Sequence, residues 1–192
     1  MNLGVLTLGC PKNLADMDNF AGIMKSQGHT IVDEIDMADL IVIDTCGFIE
    51  EAKKESIDEI FKAISARKGK PGLKIIAVGC LVQRYFDEMK SDIPELDGLI
   101  GVTSPLTLAR LIERGELFYF QEPEGVYGYF NRRATGYSAY VKIGDGCNRN
   151  CAFCSIPLFK GLSVSRSLES LKSEALSLVR KGVKEIVLVS QD

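Results

Sequence analysis

From Leu3 to about Arg114, short apolar runs alternate with longer stretches in which apolar positions recur at helical spacing. The runs are Leu3–Leu8, Thr30–Val32, Leu40–Ile43, Leu73–Val78 and Leu99–Val102. Between most of them lie helical patterns at Asn13–Ser26, Glu50–Arg67, Val82–Met89 and Pro105–Glu113. Near-continuous apolar strands alternating with helices predict βαβ units and a parallel sheet covered on both faces.

Five strands in this length suit an α/β fold, a flavodoxin-like doubly wound parallel sheet of order 2-1-3-4-5. The weakest link in that assignment is Asp33–Asp39, which is too short for a full crossover helix. The predicted N-terminal domain is 1–119. Residues 120–136 are rich in Gly, Glu, Pro and Tyr without a period, and read as a linker. In 137–192 a strand at Tyr137–Ile143, a helix at Leu168–Arg180 and a strand at Glu185–Ser190 read as the first βα units of an incomplete (β/α) barrel. Two strands cannot close a barrel, so the expectation is an N-terminal part of a longer protein, inactive alone in overall turnover.

The chain has 192 residues, 46% hydrophobic and 26% charged, which suits a globular protein. Its net charge of −3 is uneven. Residues 1–135 carry 15 Lys and Arg against 21 Asp and Glu, or −6, and residues 136–192 carry 8 against 5, or +3. This is not the basic balance of a dedicated nucleic-acid binder. No apolar run is long enough to span a bilayer, and the first residues lack a basic leader, so a cytoplasmic location is expected. Cysteines in that setting read as thiols and metal ligands rather than disulfides. His29 is the only histidine, which leaves little room for chemistry built on an imidazole base.

The six cysteines fall into two sets of three. Cys10, Cys46 and Cys80 each sit at or just past the carboxyl end of a predicted strand. In the order 2-1-3-4-5 those strands are neighbours, so the three thiols converge at the edge where such sheets collect ligands. Each has a glycine beside it, Gly9, Gly47 and Gly79, and Pro11 suits the first turn of a helix. Buried structural cysteines or zinc ligands are alternatives, although three thiolates without a fourth ligand fit structural zinc poorly. Three thiolates can hold three irons of a 4Fe–4S cluster and leave the fourth iron open.

The second set, Cys147, Cys151 and Cys154, has the spacing C-x3-C-x2-C with Phe153 before the last cysteine. This pattern resembles the radical S-adenosylmethionine (SAM) superfamily. That resemblance implies that these cysteines hold a 4Fe–4S cluster whose open iron chelates SAM, with Phe153 beside the adenine. Leu8-Gly9-Cys10-Pro11-Lys12-Asn13, Thr45-Cys46-Gly47-Phe48-Ile49, Gly79-Cys80-Leu81-Val82-Gln83-Arg84-Tyr85 and Tyr140-Val141-Lys142-Ile143 before Gly146-Cys147 narrow it. Together they resemble the methylthiotransferases, and Gly-Cys-Pro-Lys-Asn is similar to the branch that modifies an aspartate of a small-subunit ribosomal protein. The resemblance implies two 4Fe–4S clusters, SAM, an external reductant and a sulfur donor, and a methylthio group added to the aspartate β-carbon. A tRNA adenosine methylthiotransferase, with tRNA as substrate, and a non-catalytic two-cluster iron–sulfur module are the alternatives.

The chain departs from the family pattern after Cys154, where Lys160 stands for an arginine and Val164-Ser165-Arg166 for an Arg-Ser-Arg run. Lysine is no planar substitute for arginine, so the contacts there are open to change. Asp16 and Arg84 are read as either lining the upstream site or facing solvent. Ser190 and Gln191 fall where relatives contact SAM and carry no assigned role.

Overall fold

The computed structural model describes residues 1–122, 136–149 and 151–191. Its first part is a six-stranded parallel sheet, in the order β2-β1-β3-β4-β5-β6. The strands are β1 Asn2–Thr7, β2 Thr30–Val32, β3 Leu40–Thr45, β4 Lys74–Gly79, β5 Gly98–Ile100 and β6 Phe118–Tyr119. The predicted five strands appear in the predicted order. The sixth, at the very end of the predicted domain, is an addition to that reading, since two residues are too short to show a period.

Helices cover both faces. Along β3 and β4 successive side chains point to opposite sides. Ile41, Ile43, Ile75 and Ala77 join one core with α2 (Glu50–Ala66), α3 (Cys80–Arg84) and α4 (Phe86–Asp92). Leu40, Val42, Ile76 and Val78 join the other with α1 (Pro11–Ser26) and α5 (Pro105–Arg114). Ile43 and Ile76 are fully buried, and truncation of either costs about 2–5 kcal/mol. The expected helix Val82–Met89 is instead two helices, because Tyr85 leaves the helical region at φ −131°, ψ 39°.

The short link after β2 crosses β1 with a single 3-10 turn, Ile35–Met37. It passes close to Gly4. A Cβ there would lie 3.4 Å from the Cβ of buried Ala38, so the crossing chain lies directly on the strand. Asp39 fastens it, accepting from Asn2 N at 2.7 Å.

In the second part, β7 (Ser138–Lys142) and β10 (Glu185–Val189) pair in parallel, joined through α7 (Leu168–Arg180). Ser167 caps α7, its Oγ accepting from Ser170 N at 3.2 Å. Between them runs the second cysteine loop. A two-residue antiparallel ribbon, β8 (Gly144–Asp145) with β9 (Val164–Ser165), closes its base, and α6 (Ile156–Lys160) lies within it.

The two parts pack on each other. Helix α1 is buried nearly all round because α5 and the sheet take one side and β7 the other. Most of the predicted linker lies outside the described residues. No helix among the described residues is long and apolar enough to cross a membrane.

Candidate functional site

The first three cysteines all lie at the carboxyl edge of the sheet. Cys10 caps α1 after β1, Cys46 follows β3, and Cys80 opens α3 directly after β4. All three line one cavity of about 490 Å³. Its other walls include Phe48, Ile156, Phe159, Leu188 and the ends of β10.

Close approach of the three loops depends on their glycines. Gly79 has φ +95°, and a Cβ there would stand 2.5 Å from Asp44 Oδ1. A Cβ on Gly47 would stand 2.7 Å from the Cys80 carbonyl oxygen. A side chain at either position would push the cysteine loops apart. Other contacts hold each loop in place. Cys10 Sγ donates to Asn13 Oδ1 at 3.2 Å, and Cys46 N donates to buried Ser56 Oγ on α2 at 3.1 Å. Arg84 donates to the Gly47 carbonyl at 3.1 Å and to Ser155 Oγ at 3.3 Å, across to the second part. It is therefore not merely solvated.

Burial pushes the Cys80 thiol up to about 11, against the pull of the neighbouring Lys160 ammonium. Burial alone would push Lys160 down. Cys80, Asp145, Asp16 and Asp44 outweigh it, and Lys160 stays protonated well above the usual lysine range. The departure from arginine thus still places a cation here, buried against carboxylates and a thiol. Burial also raises Asp44 to about 7, with Lys160 and Asn13 opposing.

The second set occupies the loop between β8 and β9. Gly146, at φ +73°, lets the chain pass Leu162, whose carbonyl oxygen a Cβ would meet at 2.1 Å. Cys147 N donates to Gly161 O at 3.1 Å and Cys154 N to Cys151 O at 3.1 Å. Cys151 is exposed, while Cys147 and Cys154 are half-buried. Phe153 stands 91% exposed beside Cys154. Cys147 and Cys154 pack against Cys80, Val102, Ile156 and Phe159, so one apolar cluster joins the two sets.

Both sets offer thiols as donors, and His29 lies elsewhere, against Glu113 of α5. Among the described residues no three His, Cys, Asp or Glu side chains are already gathered around one point as a single metal ion requires. The residues nonetheless fit clusters in kind, with soft thiol ligands, a shared cavity, and glycines where a side chain would intrude. Ser190 and Gln191 also line the cavity. Asp16 is no solvated acid; it pairs with Lys142 at 2.6 Å. The sequence reading missed Lys142 and Asp145. Local spacing marks only Lys12 and Asp16, four apart at the head of α1 and so on one face.

Two family descriptions match parts of the chain. The description "Uncharacterized protein family UPF0004" matches residues 2–101, and "Radical SAM superfamily" matches residues 141–192. The chain is 55% identical over 190 residues to the protein named ribosomal protein uS12 methylthiotransferase RimO of Petrotoga mobilis, covering 98% of this chain and 44% of that protein. The proteins of the same name from Pseudothermotoga lettingae and Thermotoga maritima are 51% and 50% identical, each over 100% of this chain and 44% and 45% of their own length. The chain thus spans less than half the length of these relatives.

Proposed function

The chain belongs to the uncharacterized protein family UPF0004, and from that premise we propose that it holds the two iron–sulfur sites of a radical SAM methylthiotransferase acting on ribosomal protein uS12. The observation that carries this reading is that two sets of three thiols, 67 residues apart from Cys80 to Cys147, flank one apolar cluster. Cys10, Cys46 and Cys80 would hold the auxiliary 4Fe–4S cluster, and Cys147, Cys151 and Cys154 the one that binds SAM.

When bound, these groups supply a radical able to take hydrogen from an unactivated carbon, which no acid or base in the chain could deprotonate. The chain's own residues do the rest. Ile156, Phe159 and Leu188 give the cavity apolar walls that limit water beside the first set. Lys12 and Lys160 set positive charge on the same walls, which suits anionic thiolates. Phe153 offers an open ring face for stacking on the adenine of SAM. The sulfur donor and the reductant are external.

The test uses the gene's complete product, reconstituted anaerobically with iron and sulfide and given SAM, dithionite and either a uS12 peptide or tRNA. The expected outcome is 5′-deoxyadenosine together with a methylthio group on a uS12 aspartate, seen by mass spectrometry. Methylthiolation of tRNA adenosine instead would overturn the substrate. Fully loaded protein that forms neither product would leave a two-cluster carrier.

A further inference from the structure

The first two turns of α1 face the second part with two charges one turn apart, Lys12 and Asp16. The segment leading to Cys147 faces back with two more, Lys142 on β7 and Asp145 on β8. They pair crosswise. Lys12 Nζ lies 3.1 Å from Asp145 Oδ1, and Lys142 Nζ lies 2.6 Å from Asp16 Oδ2. Lys142 also reaches Asp145 Oδ2 at 3.4 Å, and Lys160 of α6 reaches the same oxygen at 3.5 Å. Gln191, just past β10, meets Lys12 as well.

These groups are deep. The side chains of Lys12, Lys142, Lys160 and Asp145 are 6%, 8%, 8% and 4% exposed. Burial pushes the Asp145 carboxyl up, but Lys160, Lys142 and Lys12 outweigh it and hold it well below the usual range.

Stability alone does not account for such a cluster. Desolvating several charges costs about as much as their attraction returns, and apolar residues of similar volume often do as well. Charges differ from apolar surface in being directional. Crosswise pairs are satisfied in one register and broken in any other, and breaking a buried pair is expensive.

Position in the chain gives that register its meaning. Lys12 stands two residues after Cys10, Asp145 two residues before Cys147, and Lys160 six residues after Cys154. One carboxylate therefore gathers cations from beside the first cysteine set and from the far end of the second loop.

We propose that Asp145 is a positioning residue that fixes the distance and orientation between the two cysteine sets. It acts through Lys12, Lys142 and Lys160. Losing its charge lets the loop from Gly146 to Ser163, with α6, move off the first domain while both sets remain able to take iron.

The test compares Asp145→Asn, Asp145→Glu and Lys12→Gln with Glu174→Gln. Glu174 pairs with Arg166 inside the second part, at 1% and 3% exposure, so its loss reports general destabilisation. Hydrogen exchange on the unloaded chain reads the loop directly. Asp145→Asn and Lys12→Gln are expected to lose protection in 146–163 and keep it in β3 and β4. Asp145→Glu, which restores the carboxylate, is expected to recover it.

A second arm rests on the two-cluster reading. In reconstituted, reduced protein, the magnetic coupling between clusters is expected to weaken in Asp145→Asn at unchanged iron content. Iron confined to one set would defeat the two-cluster reading and leave the exchange arm intact. Lys12→Gln keeps Asp145 and its local lysines, so it answers the question even if Asp145→Asn does not fold. Unchanged protection of 146–163 in Lys12→Gln, or equal loss there in Glu174→Gln, would overturn the proposal.

Discussion

The two cysteine sets reach the same neighbourhood by opposite routes. In the first, 35 and 33 residues separate the thiols, and only the order of strands in the sheet brings them together. In the second, three thiols fall within eight residues of one loop. The first set therefore inherits its geometry from the cores on both faces of the sheet. The second depends on a hairpin closed by a two-residue ribbon and on α6 resting against Cys80 and Val102. A site built by topology fails with the whole domain, whereas a site built by a loop can fail alone.

The largest expected effect exploits that difference. Gly79→Val forces a β-branched residue to φ +95° and drives its Cβ into Asp44. Strain and a displaced buried carboxylate together cost about 3–5 kcal/mol. Denaturant unfolding should show that loss, with iron lost from both sets. Gly146→Ala in the second loop meets the Leu162 carbonyl, and should cost the second set its iron while the unfolding of the sheet stays near that of the unaltered chain.

Acidity gives the next effect. Asp44 holds its proton to about 7 in the fold against a usual 3.8. Between those values the folded chain binds more protons than the unfolded one, so stability falls as pH rises from about 4 to about 7. The contribution is full below the unfolded value and is lost above the folded one, an amplitude on the order of 4 kcal/mol. Asp44→Asn should flatten that slope in urea titrations at a series of pH values.

The thiols of the unloaded chain should also separate by rate. Exposed Cys151 should be alkylated first by iodoacetamide, and buried Cys80, with its thiol near 11, last. Equal rates at both would mean that the first set is as open as the second. The smallest effect is Arg84→Ala. Its guanidinium is exposed, stacks 5.2 Å from the Tyr85 ring and ties Gly47 to Ser155, and its loss should cost about 1 kcal/mol or less in thermal unfolding.

How well each region could be read from sequence follows the same division. The second set is legible because its spacing is local. The first was legible only through the near-continuous apolar runs Leu40–Ile43 and Leu73–Val78, which imply two buried faces and hence a parallel sheet. The crossing after β2 was obscure because it rests on a small residue, Gly4, meeting another, Ala38, which leaves no periodic trace. Strand β6 was obscure because two residues carry no pattern. The break at Tyr85 interrupts a run that reads as one helix. The buried charges were the hardest to see. Lys12, Asp16, Lys142 and Asp145 look like solvated residues until β7 is laid against α1, and Asp16 and its partner Lys142 lie 126 positions apart in sequence.

One measurement bears most directly on two separate thiol sites. Two triple variants, Cys10/Cys46/Cys80→Ala and Cys147/Cys151/Cys154→Ala, are reconstituted anaerobically beside the unaltered chain. Iron and sulfide are counted, and electron paramagnetic resonance is recorded after reduction. Each variant should keep about half of the iron and show one cluster signal, different in the two. Loss of all iron from either variant, or full iron in either, would contradict two independent sites.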